Sequence, residues 1–440
     1  MRIVALVTSM LGLVSAPWAQ SQERPVNWKE LPPPFHSESV RNRSEVVSRP
    51  ENAELRLPAG FVVDQYLSGF ERPRFMMLGP SGEVLLTDSG SREAPNGVVY
   101  VLKDASRAKL LEGLDRPYGL ALNDGFLYVA ETTSVKRYRY DGETMRAKTP
   151  GEEVVPLQKF DSGHWTRSLL FNREGTKLYL SVGSGSNIDL GEDPMRAALH
   201  RFNPDGTGHE IVASGLRNII GLRFHPGTED LWAAVQERDA LGDDLVPDYV
   251  TKIQEGGFYG WPIAYIGPHP EPRHQNLDRS KVQSTLYPDV LLGAHVAVLD
   301  ILFYTGDQFP AKYRGGMFLA FHGSWNRAER VGYSVTFVPF ENGRPTAGPE
   351  DFLTGFMLDP KKREVWGRPV GLLQFPDGSL LVSDDGGGKL WRITYRGSAS
   401  TSGEETSRLD DPLGLPAADG APGRADPQAF TGQPMPDVHH

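Results

Sequence analysis

The chain has 440 residues, a formal net charge of −10 and no cysteine. The missing thiols exclude disulfides, thiolate zinc sites, iron–sulfur clusters, cysteine nucleophiles and thioether-bound haem together. A pI near 5.6 argues against a nucleic-acid binder, which needs a basic footprint, and 39% apolar with 23% charged residues fits a folded globular chain rather than a disordered one.

Residues 1–19 read as a secretory signal. Arg2 supplies the positive start, Ser15, Ala16 and Ala19 offer small-residue cleavage sites, and residues 3–14 form the apolar run. That run is too short to cross a hydrocarbon layer of roughly 30 Å, so no membrane span is expected and the protein is expected to be secreted or periplasmic. Residues 20–54 are polar and carry Pro32, Pro33 and Pro34 in a row, which predicts an extended N-terminal arm. Residues 397–440 read as a disordered tail that cannot bury enough apolar surface to order itself. His439 and His440 at its end are read as solvated, not as a metal site.

Between these ends, residues 55–396 repeat one phrase: a turn with Arg or Pro, an apolar strand, a Gly/Asp turn, and a second β-rich strand. Copies stand at 72–88, 116–130, 166–182, 216–235 and 368–383, each a hairpin by its alternation and turn chemistry. From Arg72 to Arg116 is 44 residues, to Arg167 another 51, to Arg217 another 50, and to Arg368 a further 151. A weaker copy at 298–304, 317–321 and 333–339 fits the long gap. A period of 40–50 residues with several strands per unit is the mark of a β-propeller. The prediction is all-β: a six-bladed β-propeller with four-stranded antiparallel blades. No long amphipathic helix separates the strands, which disfavours parallel βαβ folds. The strand at 61–67 is expected to close the ring against 391–395 and so remove the sheet edges.

The start of each inner strand opens at one mouth of such a ring. Arg72 and Arg74, Arg116, His164 and Arg167, Arg217 and Asn218, and Arg368 stand there. One reading is a set of Arg–Asp pairs bracing neighbouring blades. As a set, an arginine ring in an acidic protein favours an anionic ligand held by bidentate contacts. His164, in Asp161-Ser162-Gly163-His164-Trp165-Thr166-Arg167, is the candidate general base. The loop Glu237-Arg238-Asp239-Ala240-Leu241-Gly242-Asp243-Asp244 is rich in acids; it is either solvated or a source of oxygen ligands for a hard cation, although its spacing is not that of an EF-hand. Gly183-Ser184-Gly185 and the glycines at 386–388 read as turns, because no helix pattern follows them. Trp261 reads as core or as the wall of a sugar site.

In order and spacing, these pieces resemble the soluble quinoprotein sugar dehydrogenases of the glucose/sorbosone dehydrogenase family, nearest in flavour to the sorbosone and pyranose dehydrogenase branch. The matching pieces are His164 with Arg167; Leu216-Arg217-Asn218; the acidic loop; Gly256-Gly257-Phe258-Tyr259-Gly260-Trp261-Pro262; His322-Gly323-Ser324-Trp325-Asn326-Arg327; and Gly367-Arg368-Pro369 with Ser383-Asp384-Asp385. The resemblance implies pyrroloquinoline quinone (PQQ) and calcium at the channel mouth. It implies His164 as catalytic base, Arg217 as a catalytic contact to the quinone oxygen with Asn218 beside it, and Arg368 and Asp384 at the cofactor. It implies backbone carbonyls of Asp239 and Ala240 as calcium ligands, where the family's glucose enzymes have a Gly-Pro step. Arg74 and Arg167 are expected to meet cofactor carboxylates, and His295, His322 or Arg327 to replace a family lysine. The implied reaction oxidises an aldose or related sugar to a lactone or acid, with electrons leaving to an external acceptor. Two rivals are a calcium-dependent lactonase, which wants carboxylates and Asn in the channel, and a non-catalytic secreted scaffold. Residues 246–253 and 268–286 are expected to be the outer loops that choose the sugar.

Overall fold

The structure, a computed structural model, describes residues 30–91 and 93–397. The signal and the tail lie outside the described residues. Six antiparallel sheets follow one another along the chain. Blade one is Pro73–Leu78, Val84–Asp88, Gly97–Lys103 and Ser106–Leu114. Blade two is Leu120–Asn123, Phe126–Ala130 and Ser134–Asp141, with its outer position split between Arg146–Ala147 and Glu152–Pro156. Blade three is Leu169–Phe171, Leu178–Val182, Ala198–Phe202 and Glu210–Ser214, extended by Gly257–Phe258 in parallel. Blade four is Asn218–Phe224, Leu231–Gln236, Pro247–Lys252 and Val290–Ala294. Blade five is Val298–Phe303, Met317–Phe321, Ser334–Val338 and Glu350–Leu353.

Blade six combines Pro369–Gln374, Leu380–Asp384 and Lys389–Tyr395 with Phe61–Ser68 from the other end of the chain. The first strand closes the ring against the last, as the sequence predicts, in a register that sets Phe61 opposite Tyr395 and Ser68 opposite Lys389. The Phe61 ring lies edge-on to Phe309, Tyr313 and Phe352 at 4.8, 5.4 and 5.0 Å, so the closure is also an aromatic cluster. Phe61→Ala is expected to cost about 3 kcal/mol, the lower end for a large aromatic truncation because the ring is only partly buried. Urea unfolding measures it; a loss below about 1 kcal/mol would show that the strand pairing alone closes the ring.

Both faces of each blade are covered by its neighbours. That is why second strands such as Leu231–Gln236 and Met317–Phe321 are buried throughout instead of alternating. At the centre, Phe75, Tyr118, Trp165, Ile220, Leu299 and Val370 pack as one cluster drawn from all six blades. The Tyr118 hydroxyl donates to the Leu299 carbonyl at 3.0 Å across the channel. The channel is therefore plugged, and each mouth is a separate cup.

Two segments depart from the sequence reading. Residues 246–253, expected to be an outer loop, hold the buried third strand of blade four, Pro247–Lys252. Tyr249 and Val250 point to opposite faces and both are buried, as a pleat covered on both sides requires. Residues 268–286 do leave the sheets and carry Arg279–Gln283, the one α-helix among the described residues. The N-terminal arm crosses the loops above blades four, five and six in turn. Phe35 N–H donates to Leu241 O at 2.8 Å, Asn42 N–H to Trp325 O at 2.7 Å, and Glu45–Val46 pairs in parallel with Glu364–Val365.

Candidate active site

The inner strands begin at Pro73, Leu120, Leu169, Asn218, Val298 and Pro369, and the polar and charged side chains that form the cup cluster at that end. The opposite mouth is an apolar cavity of about 440 Å³ whose lining includes Met77, Leu122, Phe171, Leu302 and Leu373. Its arginine, Arg223, is already paired with Asp300 at 3.2 Å.

His164 is held in the polar cup by its backbone and its ring. Its Nδ1 is 2.9 Å from the Ser184 carbonyl oxygen, which can only accept. Nδ1 therefore carries the proton and Nε2 the lone pair, the form a general base requires. The Ser184 hydroxyl, 3.1 Å from Nδ1, spends its own proton on Ser186 O at 2.6 Å. Gly183 makes this approach possible: a Cβ there would stand 2.6 Å from the His164 Cβ and 2.4 Å from Asn218 Oδ1. The glycines at 183 and 185, read from sequence as plain turns, thus shape the cup. Asn218 Nδ2 donates to Gln236 Oε1 at 3.0 Å, and its Oδ1 is buried without a partner among the described residues.

Guanidiniums surround Trp165. Arg74 and Arg116 stand 5.2 and 5.4 Å from its ring. Arg74 is locked to Asp385 at 2.6 Å and to Ser89 Oγ at 3.1 Å. Asp385 also accepts from His322 Nε2 at 2.8 Å, joining blades one, five and six. Burial opposes the Asp385 charge, yet Arg74 and His322 hold its carboxyl well below the usual carboxylate range. Burial first, and Arg368 second, push His322 down to about 4, so it is neutral near pH 7. Its Nδ1 is buried with no partner among the described residues. Arg368 donates to the His322 carbonyl at 3.3 Å and makes no ion pair among the described residues; the one ion pair of Arg116 among them is with Asp115, at 3.6 Å. Arg116 and Arg368 thus keep capacity for an anion, and that capacity fits a carboxylate-bearing cofactor such as PQQ.

Several predicted contacts are corrected by the geometry. Arg167 is fully buried and donates to the carbonyls of Phe160, His164 and Thr166 at 2.5, 2.7 and 2.9 Å. It braces the loop beneath His164 and faces no ligand; burial pulls it down to about 9. Arg217 is likewise sealed in. Its N–H groups go to Glu237 O at 2.7 Å, Asn187 O at 3.3 Å, Asn187 Oδ1 at 3.1 Å and Asp239 at 3.3 Å, so it positions loops and is not a quinone contact. Asp384 is fully buried and accepts from the backbone of Arg368 and Gly387 and from Trp391 Nε1, holding a turn below the cup rim. Arg327 bonds Asp243 O and Asp244 through Nη1, with its Nε buried and without a partner among the described residues, and His295 is held by Gly242 O and Asp239. Neither replaces a lysine.

The predicted calcium ligands do not fit the ion either. Asp239 O accepts from Asn187 Nδ2 and from Arg238 Nε, both at 3.0 Å. Ala240 O accepts from Arg273 Nη2 at 2.9 Å. Among the described residues no group of three or more His, Asp or Glu gathers as a metal site. Asn187, the residue that sequence reasoning missed, clamps the Asp239 peptide on both sides, its Oδ1 accepting Asp239 N–H at 3.0 Å, and takes Trp261 Nε1 on its own carbonyl at 2.8 Å. Its only signal is topological: it sits in the loop between second and third strands of blade three, as Asp239 does in blade four and Asn326 in blade five.

Glu237 lies beside this clamp. Its Oε2 accepts Arg238 N–H at 3.1 Å, its Oε1 has no partner among the described residues, and burial pushes it up to about 7. A raised carboxyl favours folding at low pH, and that stability is lost as pH rises from its usual value through about 7. Glu237→Gln keeps the acceptor and cannot ionise. The variant should gain about 3 kcal/mol on the wild type between pH 4 and pH 8, read by urea unfolding at both pH values. A constant difference would mean the wild-type carboxyl ionises normally.

Six blades, a plugged channel and a histidine–arginine cup at one mouth define a six-bladed β-propeller with a polar site at the inner-strand starts. The chain belongs to the TrAA12-like family, whose model matches residues 55–254 and 268–396. An uncharacterized protein of Borreliella burgdorferi is 29% identical over 354 residues, covering 78% of this chain and 91% of that protein. The pyrroloquinoline quinone-dependent pyranose dehydrogenase of Coprinopsis cinerea is 24% identical over 408 residues; the match covers 77% of this chain but only 54% of the fungal protein, about half its length. The calcium structure of the Trichoderma reesei carbohydrate-active enzyme of family AA12 superposes with a TM-score of 0.67 at 22% identity, covering 80% of this chain and 99% of that one, and shows the shared fold.

Proposed function

We propose that this protein is a secreted or periplasmic PQQ-dependent dehydrogenase that oxidises an aldose or related sugar hemiacetal or aldehyde to a lactone or acid and passes the electrons to an external acceptor. The observation that carries the reading is the His164 tautomer. A buried imidazole with Nδ1–H fixed on Ser184 O presents a basic Nε2 in a cup rimmed by under-paired arginines. When bound, PQQ would supply an ortho-quinone that accepts hydride from the sugar carbon, while the sugar hydroxyl gives up a proton. His164 Nε2 takes that proton. Arg368 and Arg116 hold ligand carboxylates, and Trp165 floors the cup beneath them. The apolar plug below Trp165 keeps water from entering along the channel.

The test is an absorbance titration of purified protein with PQQ, followed by dye reduction against a sugar panel. One equivalent of PQQ is expected, with bleaching of the dye on adding an aldose. Saturable uptake without turnover on any sugar would sink the substrate class, and no uptake at micromolar PQQ would sink the quinone reading.

A further inference from the structure

We infer that the loop 239–243 takes no calcium, and that the guanidinium of Arg238 stands in for the ion against the anionic cofactor. This rests on the quinone reading above and departs from its metal.

The loop would have to offer free carbonyls to a hard cation, because calcium is ligated by oxygen lone pairs. Each of its five carbonyls already accepts a hydrogen bond, and Asp239 O accepts two, which uses both its lone pairs. Asp239 O takes Asn187 and Arg238, and Ala240 O takes Arg273. Leu241 O takes the Phe35 N–H of the arm at 2.8 Å, Gly242 O takes His295 Nε2 at 2.9 Å, and Asp243 O takes Arg327 Nη1 at 2.5 Å. The amides are clipped as well: Ala240 N–H donates to Asn326 Oδ1, Gly242 N–H to Ser39 Oγ and Asp243 N–H to Ser37 Oγ, at 2.8, 3.0 and 2.8 Å. The loop is thus held from blade three, blade five and the N-terminal arm at once, and turning several of its carbonyls toward one common ion means breaking that set.

Charge points the same way. Arg238 is 2% exposed and paired with Glu271, also 2% exposed, at 2.5 Å. Its Nε sits 3.0 Å from Asp239 O, so that carbonyl already faces a charged donor where an ion would need a lone pair. Arg238 Nη2 is buried and has no acceptor among the described residues. A buried guanidinium with one arm unspent is a donor waiting for an oxygen that the described residues do not provide. A cofactor carboxylate or quinone oxygen is the chemistry that completes it. His295 on the far side of Asp239 adds a second donor to the loop, so its carbonyl face is lined with N–H groups instead of open lone pairs.

The test is PQQ binding read by absorbance, in buffer with excess EGTA and in buffer with millimolar calcium. The dissociation constants are expected to agree within about twofold. Affinity at least tenfold tighter with calcium, or uptake only with calcium, overturns this inference and leaves the quinone reading standing. No uptake in either buffer overturns the quinone reading and this inference with it. A second arm replaces Arg238→Met together with Glu271→Gln, so that neither charge is stranded. At least tenfold weaker PQQ binding in EGTA, with thermal unfolding still cooperative, is expected; unchanged affinity overturns the role of Arg238. Calorimetric titration of the PQQ-loaded wild type with calcium should show no stoichiometric uptake, and one equivalent bound at micromolar concentration overturns the inference directly.

Discussion

His164→Ala should lower dye-linked sugar oxidation by about a thousandfold while PQQ affinity stays within about threefold of the wild type, the range expected when a positioned general base is removed. The reasons are local. His164 makes its ring contacts to the Ser184 carbonyl and hydroxyl, and the arginines proposed to hold the cofactor are anchored by other residues. Its removal takes away the proton acceptor and leaves the anion-binding rim in place. The split matters more than the loss. A purely structural His164 would, on truncation, disturb Arg167, whose Nη1 rests on the His164 carbonyl, and the loop below it. That would appear as weaker PQQ binding and a lower melting temperature. His164→Gln is the control, because it keeps a polar side chain of similar reach and supplies no base in the neutral range. Added imidazole should restore part of the turnover of the Ala variant and none of the Gln variant, whose side chain fills the space. Retained turnover in both variants would remove His164 from the reaction.

The fold is legible in the sequence wherever it is written in local pattern. Each hairpin carries its own turn, the period runs between 44 and 51 residues, and the first strand has no hairpin partner of its own, so ring closure through Phe61–Ser68 follows. His164 is legible too, because it stands at a strand start beside Trp165. The roles of the arginines are not. Arg116 and Arg167 stand at equivalent strand starts, yet one lies at the rim and the other is wholly buried under carbonyls. Nothing in the spacing says which way a guanidinium turns, since that depends on which unsatisfied carbonyls lie near it in space. The loop 239–243 is the hardest case. Its candidate ligands are backbone atoms, and their partners come from Phe35, Asn187 and Asn326, far away along the chain. An acidic loop looks like a cation site until its carbonyls are found already bonded. The N-terminal arm is legible as extended, because of its prolines, but not as a clip over the cup, because Ser37, Ser39 and Asn42 are unremarkable in any polar segment.

Asp385→Asn should destabilise the fold by about 3–5 kcal/mol, the loss expected when one partner of a buried ion pair is removed and the other charge is left uncompensated. Asp385 and Arg74 are each under 10% exposed as side chains, and the carboxylate is shared with His322. Three blades meet on that one group: Arg74 from the first, His322 from the fifth and Asp385 from the sixth. Arg74 also lies over Trp165, so a displaced guanidinium disturbs the floor of the cup. The substitution should therefore weaken PQQ binding as well as lower the unfolding midpoint, unlike His164→Ala, which should spare both. Arg74→Gln in the same chain as Asp385→Asn separates the causes. If the cost is a stranded buried cation, the double variant should recover more than half of the lost stability, because the two effects are not additive. If the cost is the lost hydrogen bond to His322, the double variant stays as unstable as the single one. Affinity should remain low in both cases, since neither restores the guanidinium over Trp165. An Asp385→Asn protein with an unchanged midpoint would mean that water already reaches the pair and that these blades are held together by the apolar plug alone.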